Sequence, residues 1–191
     1  MTSPIPFLGG NAAPSAVAHA GAGALRADAT GDDTPALVVR LAERLQRLRW
    51  QLATAESCTG GLIAGACTDL AGSSTWFDRG FVTYSNAAKS ELLGVDAELI
   101  ATHGAVSEPV ARAMAQGAAL HSRARATLAV TGVAGPGGGS ADKPVGTVWF
   151  GWSVDGRVHA ERRRFEGDRA AVRAATVRHA LATLLMHLPA S

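Results

Sequence analysis

Long apolar runs, lysine, tyrosine and cysteine are all scarce in this sequence of 191 residues. No run approaches the ~20 apolar residues that a membrane-spanning helix needs, so the composition excludes an integral helical membrane protein. The first fifteen residues carry no basic side chain and are interrupted by proline and glycine, which does not fit a secretory signal. We therefore expect a cytoplasmic protein that makes no contact with a membrane.

The two cysteines, Cys58 and Cys67, are more than two turns apart in a predicted helix, which is too far for a disulfide bond. The histidines show none of the spacings that are typical of a zinc site. We therefore expect two free thiols and no metal site.

The charge is nearly balanced, with 18 basic and 16 acidic side chains and a formal net charge of +2. So small an excess does not favour sequence-independent binding to nucleic acid. The three arginines at 162–164 could contact phosphate groups, but charged side chains are also typical of an exposed edge strand, which we favour. We therefore expect no nucleic-acid partner.

Strand and helix patterns alternate along most of the chain, after a segment at 1–33 that is rich in alanine, glycine, proline and serine. That composition predicts a flexible N-terminal tail, and we place one domain at 34–191. The predicted strands lie at 50–56, 79–85 and 126–132, followed by a hairpin over 145–165. This order predicts a three-layer α/β/α domain with a mixed, mostly parallel sheet.

Local signals predict three boundaries inside this domain. Thr34 followed by Pro35 predicts the N-cap of a first helix, and Ser107 predicts the cap of a helix near the middle of the chain. The pair Asp155-Gly156 predicts a two-residue hairpin turn. A last helix is expected to start near Asp168.

The stretch TAESCTGG at 54–61 places three small nucleophile-type side chains between a predicted strand and a predicted helix. In one interpretation, Ser57 or Thr59 simply caps the helix. In the other, the corner presents Ser57 to a substrate, and free backbone N–H groups after it stabilise an oxyanion. Cys58 is a weaker nucleophile candidate, because adjacent side chains near a strand end point to opposite faces and no histidine lies close by in sequence.

The stretch VTYSNAAK at 82–89 contains the only tyrosine, Tyr84, and one of two lysines, Lys89. Burial can lower the pKa of a lysine until it serves as a neutral base, whereas an arginine stays protonated. A chain that otherwise prefers arginine therefore has a chemical reason to carry a lysine here. The alternative is an interfacial tyrosine beside a solvated surface lysine.

The stretch TGVAGPGGGSADKPVG at 131–146 follows the third predicted strand and is rich in glycine. Its spacing does not match a Walker phosphate-binding loop. A flexible connection is possible, but free backbone N–H groups in such a loop can also bind an anion or a carboxamide, so we favour a substrate loop.

Five motifs in this order resemble the CinA C-terminal domain family: AESCTGG, GSSTWFDRGFVTYSNAAK, LLGV, HGAVSEPVARAMA and VTGVAGPGGGSADKPVGTVW. The resemblance extends over about 36–187 and does not include the large N-terminal domain of full-length members. It therefore implies the stand-alone amidase form, a Ser/Lys amidohydrolase that converts nicotinamide mononucleotide and water to nicotinic acid mononucleotide and ammonia.

The resemblance also implies roles for residues already singled out. Ser57 matches the nucleophile, Lys89 the base, and Tyr84 a hydroxyl that relays or orients the proton. The expected substrate-binding positions are Thr59, Gly60, Thr131, Gly132 and Gly135. No metal or dissociable cofactor is implied; the expected partner is the small-molecule substrate, and we expect a homo-oligomer.

A non-catalytic, protein-binding module associated with competence or DNA damage is the alternative that the family name suggests. A module that only binds has no need of Ser57, Tyr84 and Lys89 together, so we favour the enzyme.

Overall fold

The computed structural model describes residues 33–190, in which strands and helices alternate as the sequence predicts. The flexible tail predicted at 1–33 therefore lies outside the described residues, except for Asp33. Within the described part the helices are α1 (Thr34–Leu48), α2 (Leu62–Thr68), α3 (Asn86–Leu93), α4 (Ala97–His103), α5 (Glu108–Leu120) and α6 (Arg169–His187). The strands are β1 (Leu52–Glu56), β2 (Phe77–Val82), β3 (Ala126–Gly132), β4 (Thr147–Val154) and β5 (Arg157–Arg164).

The five strands form one mixed sheet in the order β2-β1-β3-β4-β5. Strand β1 is parallel to both β2 and β3, whereas β4 is antiparallel to both β3 and β5. Four strands therefore run in one direction and β4 runs in the other, although only half of the neighbouring pairs are parallel. The carboxyl ends of β1, β2 and β3 meet at one edge, where open α/β sheets place their sites.

Helices cover both faces of the sheet, which confirms the predicted three layers. Alternation along β3 shows the division: Leu128 and Val130 belong to one buried apolar cluster, and Ala129 belongs to the other. The first cluster includes side chains of α1, α2 and α6, and the second includes side chains of α3, α4 and α5. No helix of the described residues is long and apolar enough to cross a membrane.

Close approach of α5 to the sheet depends on a glycine in the middle of β4. A Cβ atom at Gly151 would overlap the backbone carbonyl oxygen of Ala111 on α5. Only a residue without a side chain lets the helix lie this close to the strand.

The hairpin turn forms where it was predicted. Asp155 and Gly156 have φ values of 49° and 80°, so both occupy the left-handed region that a tight hairpin turn requires. The following strand β5 lies at the edge of the sheet, and the side chains of its three arginines at 162–164 are exposed.

One predicted helix cap is wrong, and a second is confirmed in position but makes no capping hydrogen bond. Asp33, not Thr34, is the N-cap of α1, because its carboxylate accepts a hydrogen bond of 2.9 Å from the Ala36 N–H. Ser107 occupies the N-cap position of α5, but its hydroxyl donates backward to the Gly104 carbonyl oxygen and leaves the helix without a side-chain cap. Small polar residues at neighbouring positions compete for these roles, and sequence alone does not resolve the competition.

Candidate active site

Ser57 is the first residue after β1, at the edge of the sheet where the parallel strands end. Its N–H donates to the Val130 carbonyl oxygen at 3.0 Å, so the β1–β3 ladder fixes the backbone at this point. The chain then turns through Gly60 and Gly61, whose φ values of 61° and 99° lie in the left-handed region that glycine adopts without strain. We call residues 57–61 the nucleophile turn.

Glu56, the last residue of β1, caps α2 in place of the predicted Ser57 or Thr59. Its carboxylate is fully buried, and its two oxygens accept hydrogen bonds from the N–H groups of Gly61, Ile63 and Ala64 at 2.8–3.1 Å. The hydroxyl of Thr59 donates to the same carboxylate at 2.7 Å. The N–H groups at the start of α2 are therefore occupied by Glu56 and are not free for a substrate.

Besides the Gly61 N–H, which donates to Glu56, two N–H groups of the nucleophile turn make no hydrogen bond to another backbone group among the described residues. The Gly60 N–H donates to the Ser57 carbonyl oxygen at 3.0 Å, whereas the N–H groups of Cys58 and Thr59 have no backbone acceptor. They are the donors that this turn offers to an oxyanion formed when Ser57 attacks a carbonyl group. This narrows the expectation from the sequence, which assigned the oxyanion to the backbone N–H groups after Ser57 in general, because Glu56 already accepts from those of Gly61, Ile63 and Ala64.

Lys89 reaches Ser57 from the opposite side of the sheet edge. It lies in the second turn of α3, is 1% exposed, and its Nζ is 3.1 Å from Ser57 Oγ. The same Nζ donates to the Thr83 carbonyl oxygen at 2.8 Å, which fixes the end of the side chain. Burial lowers the pKa of Lys89 from its ordinary value, because desolvation penalises the charged form.

Tyr84 stands at the mouth of the site and makes no described hydrogen bond to Ser57 or Lys89. Its side chain is 60% exposed, and its hydroxyl accepts a hydrogen bond of 2.9 Å from Arg169 Nη2. Arg169 Nη1 also donates to the Gly135 carbonyl oxygen at 3.0 Å. Tyr84 thus orients an arginine and lies outside the direct contact between Ser57 and Lys89.

Cys58 is a poor nucleophile here for an electrostatic reason. Burial raises the pKa of its thiol to about 11, so the thiolate is scarce at neutral pH. Ser57 and Cys58 both contribute to the lining of one cavity, but Cys58 also belongs to the buried apolar cluster that includes side chains of α1, α2 and α6.

The structure brings five of the eight predicted site positions to one cavity of about 220 Å³. These five are Ser57, Tyr84, Lys89, Thr131 and Gly132. Thr59, Gly60 and Gly135 are not in its lining. Thr59 and Gly60 belong to the nucleophile turn below it, and Gly135 reaches the site through its carbonyl contact with Arg169.

Thr131 and Gly132 have packing roles as well as a place at the cavity. The Thr131 hydroxyl donates to the Ala105 carbonyl oxygen at 2.8 Å, which joins the end of β3 to the loop before α5. A Cβ atom at Gly132 would lie 2.8 Å from the Thr147 carbonyl oxygen. The glycine therefore permits the β3–β4 pairing at this end of the sheet.

Sequence reasoning missed the arginines of the last helix. Arg169 and Arg173 lie four residues apart on α6 and so share one face. Arg169 lines the cavity, and Arg173 Nη2 donates to the Thr59 carbonyl oxygen at 2.8 Å. In an arginine-rich chain these two residues give no signal in the sequence, because their approach to the nucleophile turn depends on how α6 packs.

Metal-binding residues do not cluster at the cavity. Within 33–190 there is no group of three or more histidine, cysteine, aspartate or glutamate side chains that could hold a metal ion. The polar side chains in the cavity lining are the hydroxyls of Ser57, Tyr84 and Thr131, the Cys58 thiol, the Asn86 amide, the Lys89 amine and the Arg169 guanidinium. This set suits attack by a serine on a carbonyl carbon.

Several known proteins are similar to this chain in sequence. The model of the CinA C-terminal domain matches residues 35–188. The protein named nicotinamide-nucleotide amidohydrolase PncC from Pseudomonas putida is 55% identical over 154 residues, which cover 81% of this chain and 96% of that protein. The PncC protein of Escherichia coli strain K12 is 55% identical over 132 residues, which cover 69% of this chain and 80% of that protein.

Comparison with solved structures gives the same fold. The competence/damage inducible protein CihA of Agrobacterium tumefaciens superposes with a TM-score of 0.79 at 50% sequence identity. The match covers 81% of this chain and 95% of that one.

Proposed function

The chain belongs to the CinA C-terminal domain family, and we propose that it is a nicotinamide-nucleotide amidohydrolase. It hydrolyses the carboxamide of nicotinamide mononucleotide to give nicotinic acid mononucleotide and ammonia. The identity of 55% to PncC over nearly the whole of that protein supports the reaction. The observation that carries the mechanism is the 3.1 Å contact between Lys89 Nζ and Ser57 Oγ.

Lys89 acts as the general base. In its neutral form, which burial favours, its lone pair accepts the Ser57 proton while one of its own N–H groups donates to the Thr83 carbonyl oxygen. The Ser57 oxygen then attacks the carboxamide carbon. The positive pyridinium ring of the substrate further disfavours a charged lysine beside it.

The Cys58 and Thr59 N–H groups stabilise the oxyanion of the tetrahedral intermediate. Protonated Lys89 returns its proton to the leaving nitrogen, and the C–N bond breaks to release ammonia and leave an acyl ester on Ser57. Water, deprotonated by the same lysine, then attacks the ester and frees the carboxylate product.

Arg169 is the residue we assign to the phosphate of the substrate. It lies at the mouth of the cavity, and its guanidinium is oriented by the Tyr84 hydroxyl and the Gly135 carbonyl oxygen. A planar guanidinium with several donors suits a phosphate group. This choice selects the arginine over the glycine-rich loop as the main phosphate contact.

Other expectations follow from this activity. We place the enzyme in the salvage of pyridine nucleotides in the cytoplasm, as a homo-oligomer that needs no metal, dissociable cofactor or nucleic acid. Light scattering at several protein concentrations tests the oligomeric state, and activity in the presence of a chelator tests the metal.

The rival interpretation as a binding-only module leaves Lys89 unexplained. A nearly fully buried lysine whose only described hydrogen bonds go to Ser57 and to one carbonyl oxygen costs stability, because desolvation penalises the charged form. A binding surface would gain nothing from it.

Release of ammonia and nicotinic acid mononucleotide from nicotinamide mononucleotide, measured without added metal, tests the proposal. Ser57→Ala and Lys89→Met should each lower kcat by about 10³-fold or more, because nucleophile and base act as a unit. Ser122→Ala is the matched control: Ser122 follows the end of α5, near the amino end of β3, and its hydroxyl donates to the Ala118 carbonyl oxygen at 2.6 Å. It should keep wild-type activity.

Circular dichroism and thermal midpoints establish that each variant is folded. A folded wild type that releases no ammonia would overturn the assigned reaction. Turnover that survives in Ser57→Ala would overturn the acyl-enzyme mechanism alone.

A further inference from the structure

Glu56 is a buried charged group that the mechanism above does not use. Its exposure is 0%, and its described hydrogen-bond partners are backbone N–H groups and threonine hydroxyls. No basic side chain pairs with it among the described residues. Burial of a carboxylate is costly unless it is well hydrogen-bonded, so its position beside Ser57 calls for a physical reason.

The carboxylate connects the end of β1 to the middle and the end of the nucleophile turn. Oε2 accepts from the Thr59 hydroxyl at 2.7 Å, the Gly61 N–H at 3.1 Å and the Ile63 N–H at 3.0 Å. Oε1 accepts from the Ala64 N–H at 2.8 Å and from the Thr54 hydroxyl at 3.2 Å. A single side chain thus holds the turn, the first residues of α2 and the strand below them.

The nucleophile turn needs such a restraint because its own residues do little to restrict its backbone conformation. Glycine is the residue type with the greatest backbone freedom, and the φ angles of Gly60 and Gly61 both lie in the left-handed region. Without a fixed acceptor inside the turn, these two residues would sample other conformations, and the N–H groups before them would change direction.

A second contact holds the turn from the other side. Arg173 Nη2 on α6 donates to the Thr59 carbonyl oxygen, while the Thr59 hydroxyl donates to Glu56. Thr59 is therefore fixed at its side chain and at its carbonyl group. The direction of the Cys58 and Thr59 N–H groups, which have no backbone acceptor among the described residues, depends on these two contacts.

We propose that Glu56 is a positioning residue for this reaction: its carboxylate holds the nucleophile turn so that the Cys58 and Thr59 N–H groups point at the developing oxyanion. This role rests on the proposed amidohydrolase function. Glu56 touches neither substrate nor reacting atoms. It acts through the turn, and its loss should weaken the transition state more than substrate binding.

Glu56→Gln is the primary test. The amide has nearly the shape of the carboxylate, but its –NH₂ group is a donor, and every position around the side chain is occupied by a donor. Whichever oxygen it replaces, at least one backbone N–H loses its acceptor. We expect kcat for nicotinamide mononucleotide to fall by about 10²-fold, the scale of one lost oxyanion donor, with KM within about 3-fold of wild type.

Substrate binding without turnover separates positioning from a general loss of structure. Calorimetry on Ser57→Ala and on the double variant Ser57→Ala, Glu56→Gln should give the same stoichiometry and a similar Kd. If stoichiometry falls in proportion to kcat, Glu56 only maintains the fold, and the proposal is overturned.

Thr127→Val is the matched control for loss of a buried hydrogen bond. The Thr127 hydroxyl is fully buried on β3 and donates to the Ala115 carbonyl oxygen at 2.8 Å, away from the nucleophile turn. Its kcat should stay within about 2-fold of wild type even if its thermal midpoint falls.

Thr59→Val keeps the proposal testable if Glu56→Gln does not fold. It removes one donor to the carboxylate and leaves the charge satisfied by the backbone, so kcat should fall by about 3- to 10-fold at unchanged Kd. Wild-type kcat in a folded Glu56→Gln variant overturns the role of Glu56 and leaves the proposed function standing. If Glu56→Gln does not fold, wild-type kcat in Thr59→Val has the same meaning. A wild type without turnover overturns the proposed function and this role together.

Discussion

Burial of Lys89 favours the neutral form of a residue that is ordinarily charged, and the proposed mechanism uses this neutral form as its base. Desolvation lowers the pKa of Lys89, and only the neutral form can take the Ser57 proton. We expect kcat/KM to rise with pH as Lys89 loses its proton and to level off above its lowered pKa. The direction of this pH dependence follows from the role of a base, because protonation of Lys89 at low pH removes activity. Lys89 causes no second loss of activity at higher pH.

The measurement is a pH–rate profile for nicotinamide mononucleotide between pH 5 and about 10. The inflection should lie below 10.5, the ordinary value for a lysine. A rate that still rises without levelling off at the upper end of this range, or one that falls as pH rises through neutrality, would contradict a lysine base of lowered pKa. Loss of the fold at the extremes is checked by circular dichroism at each pH.

At the residue scale, sequence predicted the groups whose chemistry is unusual for this chain. The scarcity of lysine and tyrosine drew attention to Lys89 and Tyr84, and the small polar corner drew attention to Ser57. Arg169 could not be found this way, because it is one of many arginines and reaches Tyr84 across 85 positions of sequence. The cap role of Glu56 was missed for a related reason: a glutamate at the end of a strand has no fixed orientation until the helix after it is in place.

At the scale of elements, the crossing of α5 over β4 depends on the missing side chain at Gly151. A methyl group there would meet the Ala111 carbonyl oxygen, which belongs to a helix backbone and cannot move aside cheaply. We expect Gly151→Ala to destabilise the protein by about 1–3 kcal/mol, measured by urea unfolding.

Gly65→Ala is the matched substitution for comparison. Gly65 is exposed on α2 with open space around its Cα, so alanine should be neutral or stabilising by up to about 1 kcal/mol. Equal stability of the two variants would mean that α5 can shift away from the sheet without cost.

Elements were predictable where the backbone itself imposes a residue type. The Asp155-Gly156 turn and strand β3 lie where sequence placed them, since positive φ angles and a buried apolar run leave few alternatives. The caps of α1 and α5 were not predictable, because Asp33, Thr34 and Ser107 can each form either a cap or another local hydrogen bond.

At the scale of the whole molecule, both apolar clusters and the cavity are built from residues 34–188. In the P. putida relative, 154 aligned residues already cover 96% of the protein. We therefore expect a chain that starts at Asp33 to keep its kcat and a thermal midpoint within about 3 °C of the full chain.

Asp33 is included in this truncation because its carboxylate caps α1. In the full chain, Asp33→Ala should cost about 0.5–2 kcal/mol, and this sets the scale for a lost cap. A truncated chain that loses activity, or that loses more stability than Asp33→Ala, would assign a role to residues 1–32.

The fold class was predictable because alternation of strands and helices leaves few architectures. The enclosure of the site was not predictable, because it depends on the long-range packing of α6 against the turn after β1. The resemblance implied the chemistry of Ser57 and Lys89, whereas the packing of α6 determines that Arg169 lies at the cavity and Arg173 at the nucleophile turn.

The position of Arg169 and Arg173 on the last described helix also sets an order of events during synthesis. Chains leave the ribosome from the N-terminus at about 5–20 residues per second, so α6 emerges after every other element of the cavity. A chain that stops after β5 still carries Ser57 and Lys89, yet its nucleophile turn lacks the Arg173 contact, and the face of its sheet that α6 covers together with α1 and α2 is partly exposed. We therefore expect translation products cut short before α6 to be inactive, prone to aggregation and readily cleaved by proteases.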